Sequence, residues 1–249
     1  MKQRPRLAPL RYVIEAHPVP EHADLAQAIQ RIAMIFTLSP TQYHRVPHIT
    51  LFGSFDLREG ADEEQVAGAI ADTFAGGRPP AYRFDGWERR QTGGTWTIAF
   101  RMKPSRHLIK VRRKLLRALE PFTVPQYGRD VPGRLYPGDE VWFHCTLARN
   151  LSREECIRIW GYLQNAEKQN AAHRRLWRFI LYRILQSPQI TSLPVQPLRT
   201  KSAVLRVSLV RGFRIVYAYD LLNHRILSRD EALNRTLWRT TVRHYRGRL

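Results

Sequence analysis

The tripeptide His-x-Thr occurs twice in the sequence, each time at the end of a run of residues that favours a β-strand. The copies occupy 48–50 and 144–146. Residues 11–50 follow the order strand, helix, strand and end in the first copy, and residues 95–146 follow the same order and end in the second. A chain that repeats both an order of elements and a motif is predicted to fold into two similar lobes.

The hydrophobic pattern of the whole chain predicts an α+β protein. Apolar residues at helical spacing indicate helices, and short apolar runs between Gly and Pro breakers indicate strands. We expect helices at 21–36, 62–74, 105–119, 152–165 and from Ser228 towards the C-terminus, and strands at 11–16, 48–52, 82–89, 95–102, 140–148, 203–210 and 213–219. We interpret this order as a bilobal fold, with two pseudo-symmetric lobes whose antiparallel sheets surround a central cleft.

Residues 1–249 are interpreted as a single two-lobed domain with two additions. Residues 166–200 contain one stretch of apolar residues at helical spacing and then three prolines, which predicts a helical insertion and an extended linker. Residues 229–249 contain many arginines and are predicted to form a basic C-terminal extension.

The charge of the chain indicates a polyanionic partner. The sequence has 41 Lys and Arg residues against 21 Asp and Glu residues, and only six of the basic residues are lysines. The planar guanidinium of arginine suits phosphate recognition, and an excess of positive charge favours nucleic acids or acidic membranes. Genome composition or adaptation to heat would also enrich arginine.

Cysteine content and hydropathy indicate the compartment. The two cysteines are too few for a disulfide framework or a zinc knuckle, which favours a reducing cytosol. No stretch reaches the length of about 20 apolar residues that a membrane span requires. We therefore expect a soluble, cytoplasmic protein that does not contact membranes.

The two motifs are predicted to form an acid–base pair. In a strand, alternate side chains share a face, so His48 and Thr50 point the same way, as do His144 and Thr146. Histidine exchanges protons near neutral pH, and a threonine hydroxyl donates hydrogen bonds to oxygens on which negative charge develops. Two such pairs facing one cleft suit a phosphate group and need no metal or cofactor.

A metal site is the main alternative interpretation of two histidines. It would need at least a third protein ligand, and neither motif has a carboxylate or thiolate nearby on the same strand face. Cys145 is predicted to point away from His144, because neighbouring residues in a strand face opposite sides.

The runs His48–Gly53 and His144–Arg149, read as His-Ile-Thr-Leu-Phe-Gly and His-Cys-Thr-Leu-Ala-Arg, resemble the paired motifs of the 2H phosphoesterase superfamily. The similarity is greatest to its branch of 2′-5′ RNA ligases and RNA 2′,3′-cyclic phosphodiesterases, and it covers 11–160 and 203–220. It implies an RNA partner with a terminal 2′,3′-cyclic phosphate, hydrolysis to a 2′-phosphate, and His48 and His144 as acid and base in an order that the sequence leaves open.

The same resemblance implies that Thr50, Thr146 and Arg149 bind the substrate. Arg149 lies at an odd offset from His144, so it reaches the phosphate only if the strand ends or bends between them. Two other functions are compatible with the motifs: reversible 2′-5′ joining of RNA, and a non-catalytic module that binds RNA or nucleotides. Trp142 is a candidate wall of the cleft, and Tyr127 and Tyr136 are candidates for stacking on bases.

Overall fold

The computed structural model describes residues 11–19, 22–43, 46–125, 142–165 and 201–246. The predicted insertion at 166–200 and the loop that contains Tyr127 and Tyr136 lie outside these ranges. Among the described residues, no helix combines the length and the apolar character that crossing a membrane requires.

Six helices are described: α1 (His22–Ile35), α2 (Glu63–Phe74), α3 (Arg106–Leu119), α4 (153–165), α5 (Arg229–Leu233) and α6 (Arg235–Arg246). Three helices begin with a capping box, for which the sequence has Asp or Ser followed three residues later by Gln or Glu, at 62/65, 152/155 and 228/231. Asp62 and Gln65 exchange side-chain and backbone hydrogen bonds at the start of α2, and Ser228 and Glu231 do so at α5. Each box satisfies backbone N–H groups that the first turn of a helix leaves without a partner.

The strands are β1 (Tyr12–Val19), β2 (Ile49–Leu57), β3 (Ala81–Thr92), β4 (Thr95–Pro104), β5 (Thr123–Pro125), β6 (His144–Leu151), β7 (Lys201–Arg211), β8 (Arg214–Asp220) and β9 (Arg225–Ser228). They form one nine-stranded sheet with the order β5-β2-β1-β7-β3-β4-β6, and β8 and β9 branch from β7. All the pairs are antiparallel. The α+β class with antiparallel strands is therefore confirmed.

Strand β7 joins the two sets of strands that carry the motifs. One edge of β7 pairs with β1 from Ala203 to Arg211, while the other edge pairs first with β3, through Lys201–Ala203, and then with β8, through Arg206–Arg211. The two sets of strands thus belong to one continuous sheet, and the division into two pseudo-symmetric lobes stays a prediction.

The two faces of the sheet carry different elements. Helices α1, α2 and α3 pack their apolar sides on one face, in a core that includes Ile14, Phe52 and Val207. The opposite face carries Glu15 and Thr50, which are directly opposite one another on β1 and β2. Helix α6 packs on this second face through Trp238 and Val242, which contact Ala203 and Leu205 of β7. We call it the cleft face.

Several boundaries differ from those predicted. Strands β1, β2 and β3 extend to Val19, Leu57 and Thr92, and two further differences concern the C-terminal helix and a motif strand. The C-terminal helix is interrupted at Asn234, whose side chain accepts hydrogen bonds from the backbone of Thr236 and Leu237 and so starts a second helix. The predicted strand at 140–148 begins in the structure only at His144, and it continues to Leu151.

Each motif strand contains a β-bulge directly after its threonine. In β2, Thr50 and Phe52 are opposite the consecutive residues Glu15 and Ile14, so one extra residue, Leu51, is inserted. In β6, Thr146 and Ala148 are opposite Ala99 and Ile98 in the same way. A bulge at the same position of both motifs changes the side-chain alternation beyond it.

Candidate active site

The two motif histidines lie at the starts of their strands. His48 immediately precedes β2, and His144 is the first residue of β6. Strands β2 and β6 are not paired in the sheet, yet they contact one another. The backbone N–H of Arg149 also donates to the carbonyl of Gln42, at 2.7 Å, and so holds the segment before His48 against β6. Folding therefore brings the two motifs together.

Both imidazole rings are oriented by the same kind of hydrogen bond. Nδ1 of His48 donates to the carbonyl of Val46 at 3.0 Å, and Nδ1 of His144 donates to the carbonyl of Trp142 at 2.7 Å. A backbone carbonyl only accepts, so Nδ1 carries the hydrogen in both residues. The neutral ring then has its lone pair on Nε2, and this atom is the one available for proton exchange.

The ring of His144 is covered by Trp142. Their centroids are 3.8 Å apart with an interplanar angle of 16°, and the guanidinium of Arg90 lies over the other ring, 4.8 Å from the centroid of Trp142. Burial, together with the charges of His48 and Arg90, lowers the pKa of His144 to about 4, while the hydrogen bond from the ring to the carbonyl of Trp142 acts in the opposite direction. His144 is therefore neutral at pH 7.

The environment of His48 includes a carboxylate that the sequence argument missed. Nε2 of His48 is 3.5 Å from Oε1 of Glu15, and the two side chains are only 11% and 16% exposed. Burial raises the pKa of Glu15, and the charge of His48 offsets part of that rise. The Glu15 carboxylate is placed to pair with an imidazolium at His48.

Glu15 was missed because it is distant from His48 in sequence and lies on another strand. The expectation concerned carboxylates on the motif strands themselves, and Glu15 approaches His48 from the neighbouring strand β1. The usable signal was Glu15 itself, an acidic residue in the middle of the short apolar strand that opens the chain. Cys145, in contrast, is buried in the core as predicted, and burial raises the pKa of its thiol to about 12.

The bulge in β6 determines where Arg149 points. Because Leu147 is the extra residue, Ala148 faces the core and Arg149 returns to the face of His144 and Thr146. This is the bend that the odd offset required. Arg149 lines the same cleft as His48, and its Nε donates to the carbonyl of Thr41 at 3.1 Å.

A cleft of about 570 Å³ opens beside His48 on the cleft face of the sheet. Its lining includes Glu15 and Arg149. Phe213 from the β7–β8 turn, Arg214 at the start of β8 and Arg229 of α5 also line it. His144 does not itself line this cleft, but it lies near enough to His48 for charge on one ring to lower the pKa of the other. The volume suits a small organic ligand such as a nucleotide.

A third histidine also lines the cleft. Nε2 of His17, on β1, is 3.1 Å from the hydroxyl of Ser208 on β7. It belongs to no repeated motif, so no sequence pattern indicated a role for it. In the described part of the chain, no three His, Cys, Asp or Glu side chains are grouped closely enough to hold a metal ion.

Buried Arg112 ties the two motif strands together from the core side. Its Nε donates to the carbonyl of Leu51, the extra residue of the bulge in β2, at 2.8 Å. Its guanidinium lies over the ring of Phe143, 6.0 Å from the centroid, and Phe143 immediately precedes His144. This one side chain therefore contacts the backbone beside one motif and a residue beside the other.

Comparison with known proteins gives one family. Residues 18–181 match the sequence model of the 2′-5′ RNA ligase superfamily. No curated protein matches. Among solved structures, the chain is similar to one described as a crystal structure of a phosphoesterase, with 15% identity over 89% of this chain and 94% of that chain and a TM-score of 0.39.

Proposed function

The chain belongs to the 2′-5′ RNA ligase superfamily, and from this membership we propose that it hydrolyses the terminal 2′,3′-cyclic phosphate of RNA to a 2′-phosphate. The observation that carries the proposal is the matched orientation of His48 and His144. Each has its Nδ1 held by a backbone carbonyl, which leaves Nε2 for the reaction. Two such groups supply the general base and the general acid that opening of the ring requires.

We assign the base to His144 and the acid to His48. His144 is neutral at pH 7, as a base must be, and His48 has a carboxylate beside it to pair with a protonated ring. Nε2 of His144 accepts a proton from water as the water oxygen bonds to phosphorus. The bond between phosphorus and O3′ then breaks, and Nε2 of His48 gives its proton to O3′. The phosphate stays on O2′.

The threonines and Arg149 are proposed to bind the phosphate. Thr50 and Thr146 share the strand faces of the two histidines, so their hydroxyls are suited to donating hydrogen bonds to the non-bridging oxygens. Arg149 adds a positive charge in the cleft. These contacts strengthen as negative charge develops in the transition state, which is the condition for catalysis rather than mere binding.

The pH dependence tests the assignment. With His144 as base, kcat/KM falls as pH drops through about 4, the pKa of this group in the free protein. In the enzyme–substrate complex the bound phosphodiester anion favours the protonated form of His144, so kcat falls on the acid side at a higher pH than kcat/KM does. Trp142→Ala exposes His144 to water, which raises its pKa and moves the acid limb of the pH profile to higher pH. Movement of the alkaline limb instead would reverse the two roles.

Phe213 is proposed to stack on the base of the terminal nucleotide. Its side chain is 85% exposed although it lines the cleft. Phe213 forms a two-residue turn with Gly212, and their φ values are 69° and 52° respectively. The strand pair Arg211–Arg214 closes this turn. Such turns favour glycine at positive φ, so an aromatic residue here costs backbone strain of about 1 kcal/mol or more.

Phe213→Gly separates a role in the substrate site from a role in the fold. We expect the free energy of unfolding to change by less than about 1 kcal/mol, because relief of strain offsets the greater freedom of glycine in the unfolded chain. The value of kcat/KM should fall about tenfold, since stacking contributes about 1–3 kcal/mol per base. Phe213→Trp keeps the stacking surface and should keep the activity. Unchanged kcat/KM in Phe213→Gly would remove Phe213 from the site.

Turnover of defined RNA ends tests the proposed function. A short RNA with a 2′,3′-cyclic phosphate is incubated with the protein and a chelator, and the position of the phosphate in the product is determined. A product that carries only a 2′-phosphate supports the proposal. Adding a second RNA with a 5′-hydroxyl end tests the alternative of reversible 2′-5′ joining, which would give a longer RNA. Salt-dependent binding without either product would indicate a binding module.

A further inference from the structure

Helix α6 lies on the same face of the sheet as the candidate active site. Arg206 and Ser208 are two residues apart on β7 and therefore both point to the cleft face. A bulge between Val204 and Val207 turns Leu205 to the same face, where it contacts α6. Ser208 is directly opposite Glu15, and Arg206 contacts α6 through the hydroxyl of Thr241 at 3.2 Å. The helix is thus placed on the cleft face, further along β7 from the histidines.

A buried network fixes this helix in position. The guanidinium of Arg206 is 3.5 Å from the carboxylate of Asp220, and the two side chains are only 5% and 2% exposed. Thr241 donates to that carboxylate at 2.6 Å, and the guanidinium also lies 4.7 Å from the ring centroid of Trp238. The basic extension is therefore an anchored part of the fold over its described residues, up to residue 246.

The outer side of α6 presents a row of arginines. Arg235, Arg239 and Arg243 recur every fourth residue, about 6 Å apart along the axis, and all three are exposed. We call these three residues the basic ridge. Helix α6 contains no acidic residue, and among the described residues no carboxylate lies within ion-pair distance of the ridge.

Several basic side chains elsewhere in the described residues are paired with carboxylates. Asp85 pairs with three basic side chains on β3 and β4, and Glu63 pairs with Arg211. The ridge also follows directly in sequence from α5, whose Arg229 lines the cleft. Unneutralised positive charge is thus adjacent to the candidate active site and on the same face of the sheet.

We propose that the basic ridge binds the backbone of the RNA upstream of its cyclic phosphate, so that the preferred substrate is a polynucleotide and not a mononucleotide. This inference rests on the proposed function and adds a second contact surface to it. Arginine binds phosphates in any sequence, and the affinity is salt-dependent because counterions are released. An acidic membrane fits less well, because the apolar side of α6, through Trp238 and Val242, is packed on β7 and is not available to lipid.

The test replaces all three ridge arginines with glutamine. For an RNA of about twenty nucleotides that ends in a cyclic phosphate, we expect KM to rise about tenfold or more, with kcat unchanged. For cytidine 2′,3′-cyclic monophosphate both constants should stay as in the wild type. The slope of log KM against log salt should fall by about 2, since each phosphate contact on a single strand contributes about 0.7.

Helix α3 supplies the matched control. Arg106, Lys110 and Arg117 are exposed on a helix that packs on the opposite face of the sheet, so their replacement by glutamine removes the same charge far from the cleft. This control should leave KM for the long RNA unchanged. An equal rise in KM from the control, or an equal loss on both substrates in the ridge variant, would overturn the inference.

Direct binding separates this inference from the proposed function. Fluorescence anisotropy with a 5′-labelled RNA measures affinity without turnover, and vesicles of an anionic phospholipid are measured beside it. If the wild type hydrolyses neither substrate, the proposed function fails, and weaker RNA binding by the ridge variant alone still supports the ridge. Weaker binding to vesicles with unchanged RNA binding would assign the ridge to membranes and overturn the inference.

Discussion

Replacement of His144 by alanine is expected to lower kcat for the cyclic phosphate by about 10²–10⁴, and replacement of His48 by a similar factor, because each removes one positioned proton-transfer group. The double variant should lose little more than the stronger single variant, since base and acid act in one step and their effects are not additive. The measurement is steady-state hydrolysis of a short RNA with a 2′,3′-cyclic phosphate, with chelator present.

His224→Asn is the matched control for these variants. His224 is exposed in the turn between β8 and β9, at a φ of 50° that asparagine tolerates, and it does not line the cleft. Its replacement should leave kcat and KM unchanged. Hydrolysis at the wild-type rate by either His48→Ala or His144→Ala would contradict the two-histidine mechanism.

Asp220→Ala is expected to destabilise the fold by about 3–5 kcal/mol, because it leaves the guanidinium of Arg206 buried without its counter-ion. The variant also loses the acceptor for Thr241 and so loosens α6. Urea unfolding followed by circular dichroism measures the change. The half-exposed pair Arg225–Glu231 is the control, and Arg225→Gln should change the free energy of unfolding little.

A double variant distinguishes a buried unpaired charge from a lost attraction. Arg206→Met together with Asp220→Leu removes both charges and keeps apolar volume, so it should recover much of the stability that Asp220→Ala loses. If the double variant is as unstable as Asp220→Ala, the packing of α6 depends on the ion pair itself and our account of the single variant is wrong.

Local sequence signals predicted most of the elements. The spacing of apolar residues located α2 and α3, and the capping boxes Asp62–Gln65 and Ser228–Glu231 located two helix starts, because these signals act within one or two turns. The α+β class was predicted by the same means. The direction of Cys145 followed from strand alternation alone.

Features that depend on distant pairing were not predicted. Glu15 meets His48 only because β1 pairs with β2, and Arg149 reaches the cleft only because β6 has a bulge at Leu147. Neither the partner of a strand nor a bulge has a signal within a single run of residues. The central position of β7 in the sheet was not predicted for the same reason, because β7 is far along the chain from its partners β1 and β3.

The position of β7 has a consequence for biosynthesis. A nascent chain emerges from its N-terminus, and residues 12–151 contain both motif strands, but the edges of β1 and β3 stay open until residues 201–211 have been made. Unpaired strand edges are sites of association between chains. The growing polypeptide is therefore expected to need protection of these edges, by a chaperone or by the ribosome itself, until its last strands have been added.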